Sequence, residues 1–492
     1  MESTGLSDTL RQLMEARGLT QAGLIQQAAA MGYSLGKSQV SQYVSGKVLP
    51  RRDAMEVLAQ VLGVEADVLA AACEGGRDEG RGQERTAGMG QIKKSRKLDN
   101  VLYDVRGPVV EEAERMERAG ASILKLNIGN PAPFGFRAPD EVVFDMADQL
   151  VDCEGYSSSK GLFSARKAIM QYSQIKGIPS VTIDDVYTGN GVSELINLCM
   201  SALLDSGDEV LVPSPDYPLW TACVTLAGGT PVHYVCDEEA GWYPDMDDIR
   251  SKITRRTKAL VIINPNNPTG AVYPREVLQQ LVDIAREFDL AVFSDEIYDR
   301  LCMDGCEHIS IASMAPDLFC VTFSGLSKSH MVAGYRVGWM VLSGNKARAR
   351  DYILGLNMLC NMRMCSNVPG QSIVQTSLWG HQSVNDYIVP GGRIYDQRNF
   401  VYEALNAIPG VSAVKPSAAF YIFPKLDVRR FNITDDERFA FDLLHETKIL
   451  VVPGRGFNWA KPDHFRVVYL PRIEDLSVAV RKLEAFLAHY RQ

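Results

Sequence analysis

Four short apolar runs, each ending in a polar or glycine-bearing motif, constrain this chain most: EVLVPSP from Glu209, ALVIINP from Ala259, LAVFSDE from Leu290 and FCVTFSG from Phe319. Each is rich in β-favouring residues and lacks the polar alternation of a half-exposed strand. That is the pattern of strands buried on both faces of a parallel sheet. Between the second and third runs, PREVLQQLVDIAREFD carries apolar residues at helical spacing and supplies the crossover helix that parallel neighbours need. The expectation is an α/β domain built on buried parallel strands. Ligand groups in such sheets sit at the carboxyl ends of the strands, so the motifs PSPDYP, NPNNPTG, SDEIY and SGLSKSHMVAGYRVGW become the ones to read for chemistry.

A second feature divides the chain. Between Cys73 and Lys93 the sequence EGGRDEGRGQERTAGMGQ is rich in glycine and charge and nearly empty of large apolar residues, so 74–92 reads as a flexible linker. Ahead of it, residues 1–73 read as a small all-α domain: LSDTLRQLMEARG, TQAGLIQQAAAMG, KSQVSQYVSGK and RRDAMEVLAQVLG have helical periodicity between glycine-containing turns. Behind it, 93–492 forms the α/β part. A large lobe is expected over about 140–390 and a smaller α/β lobe from about 93–139 and 391–492. With 492 residues and 46% hydrophobic content the chain has material for more than one core.

Composition excludes several classes. No run of about 18 uninterrupted apolar residues occurs, and charges interrupt the N-terminus where a signal peptide needs its apolar region, so the expected address is the cytoplasm, with no membrane partner. The ten cysteines are scattered, without a CxxC pair or histidines at zinc-ligand spacing, which predicts no metal site. A net charge of -9 argues against wholesale coating of nucleic acid while leaving room for a local basic patch.

Taken singly, NPNNPTG reads as a turn, DEIY as a capping acid beside a core tyrosine, and SGLSK as a solvated lysine near a loop. In this order and at these spacings they resemble the class I and II aminotransferases, pyridoxal-phosphate enzymes of fold type I. The resemblance runs from about Lys94 to the C-terminus. KLNIGNPAPFGF, YSSSKGLFSARKAI and TGNGVSELI are similar to the alanine aminotransferase branch of the Iγ subgroup.

The resemblance implies a role for each matching residue. Lys328 holds the cofactor's aldehyde and moves the proton of the reaction. Asp295 keeps the ring nitrogen protonated, as an opposite charge does. Asn267 and Tyr298 donate to the ring's phenolate oxygen. Gly191, Val192 and Ser193 open a helix whose N-terminus receives the phosphate together with Arg336, a bidentate cation, and with a hydroxyl from Ser324 or Ser327. Tyr217 stacks on the ring. Arg466, flanked by Phe465, Val467 and Val468, grips the substrate α-carboxylate, with Gly129 allowing close backbone approach and Asn267 beside it. Tyr156 reaches the phosphate of a neighbouring subunit, which implies a homodimer with shared sites.

The implied reaction is amino transfer between L-alanine and 2-oxoglutarate, giving pyruvate and L-glutamate. A pyridoxal-phosphate β-lyase, or a regulator that merely senses the cofactor, are the competing readings. For the N-terminal module, GLTQ and SQVSQYVSGKVLP resemble the Cro/repressor-type helix-turn-helix domains, whose third helix enters the DNA major groove. Lys37, Ser38, Gln39, Ser41, Gln42 and Lys47 are then the expected DNA contacts, with Arg51 and Arg52 adding charge. The connection AMGYSLGK is longer than that family's usual turn.

Overall fold

The computed structural model describes residues 6–45, 48, 50, 52–66, 68, 69, 72, 93–98, 101 and 107–492. The chain divides into two compact units, Met1–Ser95 and Arg96–Gln492. The expected linker at 74–92 lies outside the described residues, as do Lys47 and Arg51.

Unit 1 is helical. Helices α1 (Leu6–Ala16), α2 (Gln21–Ala30), α3 (Lys37–Val44) and α4 (Arg52–Leu62) fall where the apolar periodicity puts them. Leu10, Leu24, Val40, Tyr43, Leu58 and Leu62 meet in one buried cluster. The Thr20 hydroxyl accepts from the Gly23 N–H at 3.2 Å and so caps α2, satisfying a backbone donor that the first turn leaves open.

Unit 2 is built on an eight-stranded sheet. Its elements in chain order are β1 (Val186–Asn190), α5 (Val192–Leu203), β2 (Glu209–Ser214), β3 (Thr230–Asp237), β4 (Tyr243–Pro244), β5 (Thr257–Ile263), α6 (Arg275–Glu287), β6 (Ala291–Asp295), β7 (Phe319–Gly325) and β8 (Val337–Gly344). The strand order is β1-β8-β7-β6-β5-β2-β3-β4. The pairs β2–β3, β2–β5, β5–β6 and β6–β7 are parallel, while β1–β8, β7–β8 and β3–β4 are antiparallel. The four runs that opened the sequence argument are β2, β5, β6 and β7.

Their lack of alternation has a direct cause. Leu211, Leu260, Ile262 and Val292 pack in one core cluster, whereas Val210, Val212, Val261, Ile263 and Phe293 pack in another. Successive residues feed opposite faces, and both faces are covered. One cover is α6, which buries Leu278, Leu281, Val282, Ile284 and Ala285. Each of the Leu, Val and Ile side chains contributes about 1.5–3 kcal/mol relative to exposure.

A third cluster joins Val109, Ala113, Met116, Leu126 and Phe136 to residues between Val384 and Tyr490. There the short strand Leu124–Lys125 pairs in parallel with Ile449–Leu450. A three-stranded antiparallel sheet holds β9 (Tyr421–Ile422), β10 (Val452–Pro453) and β11 (Phe465–Val468) in the order β9-β11-β10. Among the described residues no helix is long and apolar enough to cross a membrane, and no group of three His, Cys, Asp or Glu side chains is placed to hold a metal.

Candidate active site

The carboxyl ends of β2, β5, β6 and β7 converge on one cavity of about 190 Å³. Asp295 is the last residue of β6 and Lys328 follows β7 by three residues. Strand β8 runs the other way and begins where its neighbours end, with Gly338 opposite both Gly325 and Gly189. Arg336, just before β8, therefore arrives at the same edge as the start of α5. Of the residues expected to meet, Gly129, Val192, Ser193, Tyr217, Asn267, Asp295, Tyr298, Ser327, Lys328, Arg336 and Arg466 all line this cavity.

The helix start is built by glycines. Gly191 has φ +82°, and a Cβ there would lie 2.3 Å from Arg336 Nη2. A Cβ on Gly338 would lie 2.5 Å from the Val192 backbone nitrogen. Only the absence of side chains lets the guanidinium and β8 close on the first turn of α5. Arg336, itself at φ +55°, donates to the carbonyls of Ala333 (3.0 Å) and Asn190 (3.1 Å). With no side-chain cap on α5, the first-turn N–H groups and this cation form an anion-binding corner.

At the far wall Asp295 is buried. It accepts from the Trp220 indole N–H (3.3 Å) and from the Ile297 backbone N–H (3.3 Å), both neutral donors. Burial raises its pKa to about 6 in spite of these bonds. Such a carboxylate is stabilised most by a cationic partner. Lys328 Nζ donates to the Gly129 carbonyl at 2.7 Å, which ties the lysine to the NIGNP loop.

Arg466, on β11, is 2% exposed. Its Nη1 donates to Asn267 Oδ1 at 2.8 Å and its Nη2 to the Asn127 carbonyl, while the rings of Tyr421 and Phe457 lie 4.4 and 4.5 Å from the guanidinium carbon. The rings fix the plane of the fork, leaving it oriented for a planar anion.

Tyr421 was not singled out from the sequence. Its hydroxyl is 2.8 Å from that of Tyr298, and a Cβ on Gly129 would come within 2.1 Å of it, so the glycine is required by Tyr421 rather than by a ligand alone. Burial holds the Tyr298 hydroxyl well above the usual tyrosine range, so it stays protonated and able to donate. Trp220 was also missed. Nothing in AFYIFP or YPLWTA separates these rings from core aromatics until Arg466 and Asp295 are seen beside them.

Three expected residues fall outside the cavity lining, the first being Gly191, which only lets Arg336 close on the helix start. Ser324 is still within β7 and its hydroxyl turns to the Glu296 carbonyl at 3.5 Å, so Ser327, on the turn after the strand, is the hydroxyl at the cavity. Tyr156 is 82% exposed and lines no part of this chain's cavity.

On α3, Lys37, Ser38, Gln39, Ser41 and Gln42 are exposed while Val40 and Tyr43 are buried, so the expected contact residues share the solvent face. Gln39 is partly engaged already: its amide donates to Tyr43 Oη at 2.8 Å and accepts from the Gly36 N–H at 3.5 Å. The α2–α3 connection spans residues 31–36.

The family described as aminotransferase class I and II matches residues 121–483, and a helix-turn-helix domain family matches residues 6–72. The chain is 58% identical over 404 residues to the glutamate-pyruvate aminotransferase AlaA of Escherichia coli K12, covering 82% of this chain and all of that one. It is 56% identical over 399 residues to an alanine aminotransferase of Mycobacterium bovis, covering 81% of this chain and 93% of the relative. A crystal structure of an Escherichia coli aminotransferase superposes with a TM-score of 0.81 at 58% identity, over 82% of this chain and the whole of that one. The chain therefore belongs to the class I and II aminotransferases.

Proposed function

We propose that unit 2 transfers the amino group of L-alanine to 2-oxoglutarate, giving pyruvate and L-glutamate, with pyridoxal 5'-phosphate as cofactor. The observation that carries this reading is the meeting of Lys328, Asp295, Asn267, Tyr298, Arg336 and Arg466 in one cavity, with an amine, a buried acid and two guanidinium groups each near neutral partners. The residues present fit the cofactor. The glycine-lined corner at Gly191 and Arg336 suits a phosphate, and the buried Asp295 suits a protonated ring nitrogen. Relatives at 56–58% identity over nearly their whole length are named for alanine or glutamate–pyruvate transamination.

When bound, pyridoxal phosphate supplies an aldehyde to carry the amino group and a ring that takes up the electron pair released at the substrate α-carbon. The protein does the rest. Arg466 binds the α-carboxylate in the plane set by Tyr421 and Phe457. Asn267, tied to Arg466, and Tyr298, tied to Tyr421, present hydrogen-bonding groups to the same side of the cavity. Lys328 Nζ would take the proton from the substrate α-carbon and deliver it to the cofactor carbon on the far side of the amino nitrogen, while the Gly129 carbonyl orients the amine. Arg336, Val192, Ser193 and Ser327 hold the phosphate, and Tyr217 supplies a flat wall.

We read unit 2 as a large lobe, about 140–390, closed by a smaller lobe made from about 93–139 and 391–492; the packing of Val109–Phe136 with the C-terminal region supports it. Two further observations support a homodimer. Helix Arg350–Met362 exposes Leu354, Met358 and Met362 at four-residue spacing, an apolar stripe that one copy can cover on another. Tyr156, exposed and aromatic, is then free to reach the partner's phosphate corner.

The test is the half-reaction. Absorbance of the bound cofactor should change on adding L-alanine or L-glutamate and return on adding pyruvate or 2-oxoglutarate. A spectrum that responds to other amino acids but not to alanine overturns the substrate. Ammonia released with pyruvate from a substituted alanine, without reversal by oxo acids, points to the β-lyase instead.

Unit 1 supports a second reading, DNA binding, on the exposed polar face of α3. Two modules carried by one dimer can meet half-sites about 34 Å apart. Full-length protein should enrich genomic fragments at low salt, with affinity falling steeply as salt rises. A chain starting at Lys93 should enrich none, yet keep transaminase activity within about twofold, because the domains have separate cores. Equal enrichment by the short chain would place the DNA-binding face elsewhere.

A further inference from the structure

We propose that Asp216, which takes no part in the steps above, is a positioning residue that clasps the Tyr217 wall of the cavity to the ring beneath Arg466. The proposal rests on the reading of Arg466 as the carboxylate grip. Asp216 is fully buried in the loop that leaves β2, and its two oxygens serve different elements. Oδ1 accepts from Asn458 Nδ2 at 2.6 Å, and Oδ2 accepts from the Thr221 hydroxyl at 3.0 Å. The Asp216 backbone N–H donates to the Phe457 carbonyl at 2.9 Å, and the Ser214 hydroxyl donates to the Asn458 carbonyl at 2.7 Å. Three of these bonds cross between segments some 242 residues apart in sequence.

What the clasp joins matters for binding. On one side, Tyr217 follows Asp216 directly and lines the cavity. On the other, Phe457 precedes Asn458 directly, and its ring lies 4.5 Å from the Arg466 guanidinium. Asn458 has a left-handed backbone, φ +55°, which ends the turn Gly454–Phe457 and turns its amide toward Asp216. Freeing Asn458 therefore frees the ring that sets the plane of Arg466, while leaving Lys328 and Asp295 untouched. The carboxylate is retained at a cost: burial pushes it up to about 7 against the pull of Asn458 and Thr221. A hydroxyl and an amide that both donate to it fix both oxygens as acceptors, which a smaller polar residue cannot reproduce.

The prediction is a split between binding and chemistry. In single-turnover experiments with the cofactor-loaded protein, Asp216→Ala and Asn458→Gly should each raise the dissociation constant for L-alanine about tenfold or more, with the limiting rate falling no more than about threefold. Glycine is chosen at 458 because it adopts the left-handed backbone without strain. Asp216→Asn should recover most of the affinity, since its oxygen can still accept from Asn458 while Thr221, hydrogen-bonded to His233 Nε2 at 2.8 Å, accepts from its amide. A readout apart from turnover is spectral titration with 2-methylalanine, which has the carboxylate but no α-proton to lose; its affinity should fall in parallel. Thermal unfolding of each variant shows whether it is folded.

Folded Asp216→Ala and Asn458→Gly proteins that bind alanine and 2-methylalanine like the parent would overturn the proposal. So would an equal loss of limiting rate and affinity. Should Asp216→Ala not fold, Asn458→Gly decides the matter alone. Arg466→Lys separates this from the reading beneath it: if that variant also binds alanine normally, the carboxylate grip is misassigned, whereas weak binding there with normal binding in Asn458→Gly removes the clasp only.

Discussion

Lys328→Ala should lower the turnover of alanine with 2-oxoglutarate by roughly five orders of magnitude or more, because in the proposed reaction the residue supplies a proton-transferring amine that no neighbour replaces. The fold should survive. Among the described residues Lys328 makes one side-chain hydrogen bond, to the Gly129 carbonyl, and its removal opens space at an existing cavity rather than in a packed core. The cofactor should still copurify in substantial amount, since the phosphate corner at Gly191 and Arg336 and the buried acid Asp295 are separate from the lysine. Activity and cofactor content measured on the same preparation decide the point. A variant that retains more than a trace of turnover would mean that the amine at position 328 is not the one that does the chemistry.

The parts of this site legible in the sequence are those in which backbone and chemistry coincide. The runs ending at Ser214, Ile263, Asp295 and Gly325 are strands because both faces of the sheet are covered, and a sheet buried on both faces leaves its polar residues at the strand ends. The motif residues are therefore displayed against an apolar background. Strand β8 was harder to foresee, since VGWMVLSG directly follows the Arg336 turn and its antiparallel direction is set by pairing with β1 and β7 rather than by its own pattern. Ser324 and Ser327 show the limit of motif reading. They lie three residues apart across the end of a strand, and whether a hydroxyl meets the cavity or a backbone carbonyl depends on where the strand stops.

Tyr421, Phe457, Asp216 and Asn458 were invisible for a different reason. Their roles exist only where distant segments meet: β9 over the NIGNP loop, and the turn before Asn458 against the loop after β2. A single sequence marks Tyr421 as one more aromatic in an apolar run and Asp216 as a turn residue. The contact that gives each its meaning lies more than a hundred residues away. The face of α3 stands between these cases, for helical periodicity correctly separates Val40 and Tyr43 from Ser38, Ser41 and Gln42, but the engagement of Gln39 by Tyr43 and Gly36 is a side-chain geometry that periodicity does not carry.

Arg466→Ala should reduce kcat/KM for L-alanine by about 100-fold or more, mainly through KM, because a desolvated and oriented guanidinium loses its carboxylate partner. The environment explains the size. Arg466 is almost wholly buried, its fork is held by Asn267 Oδ1 and the Asn127 carbonyl, and two aromatic rings flank it, so water screens the ion pair poorly and the group is ready before substrate arrives. Alanine alone does not isolate the effect, since truncation also leaves Asn267 and Asn127 without their donor and empties space between Tyr421 and Phe457. A simple primary amine lacking the carboxylate feels those secondary losses but not the missing ion pair. The quantity to measure is therefore the ratio of kcat/KM for alanine to that for the amine, in parent and variant. That ratio should fall by about two orders of magnitude, with Arg466→Lys intermediate because an ammonium keeps the charge and loses the fork. An unchanged ratio, or an unchanged KM for alanine, would remove Arg466 from the substrate site and leave its burial without a ligand to explain it.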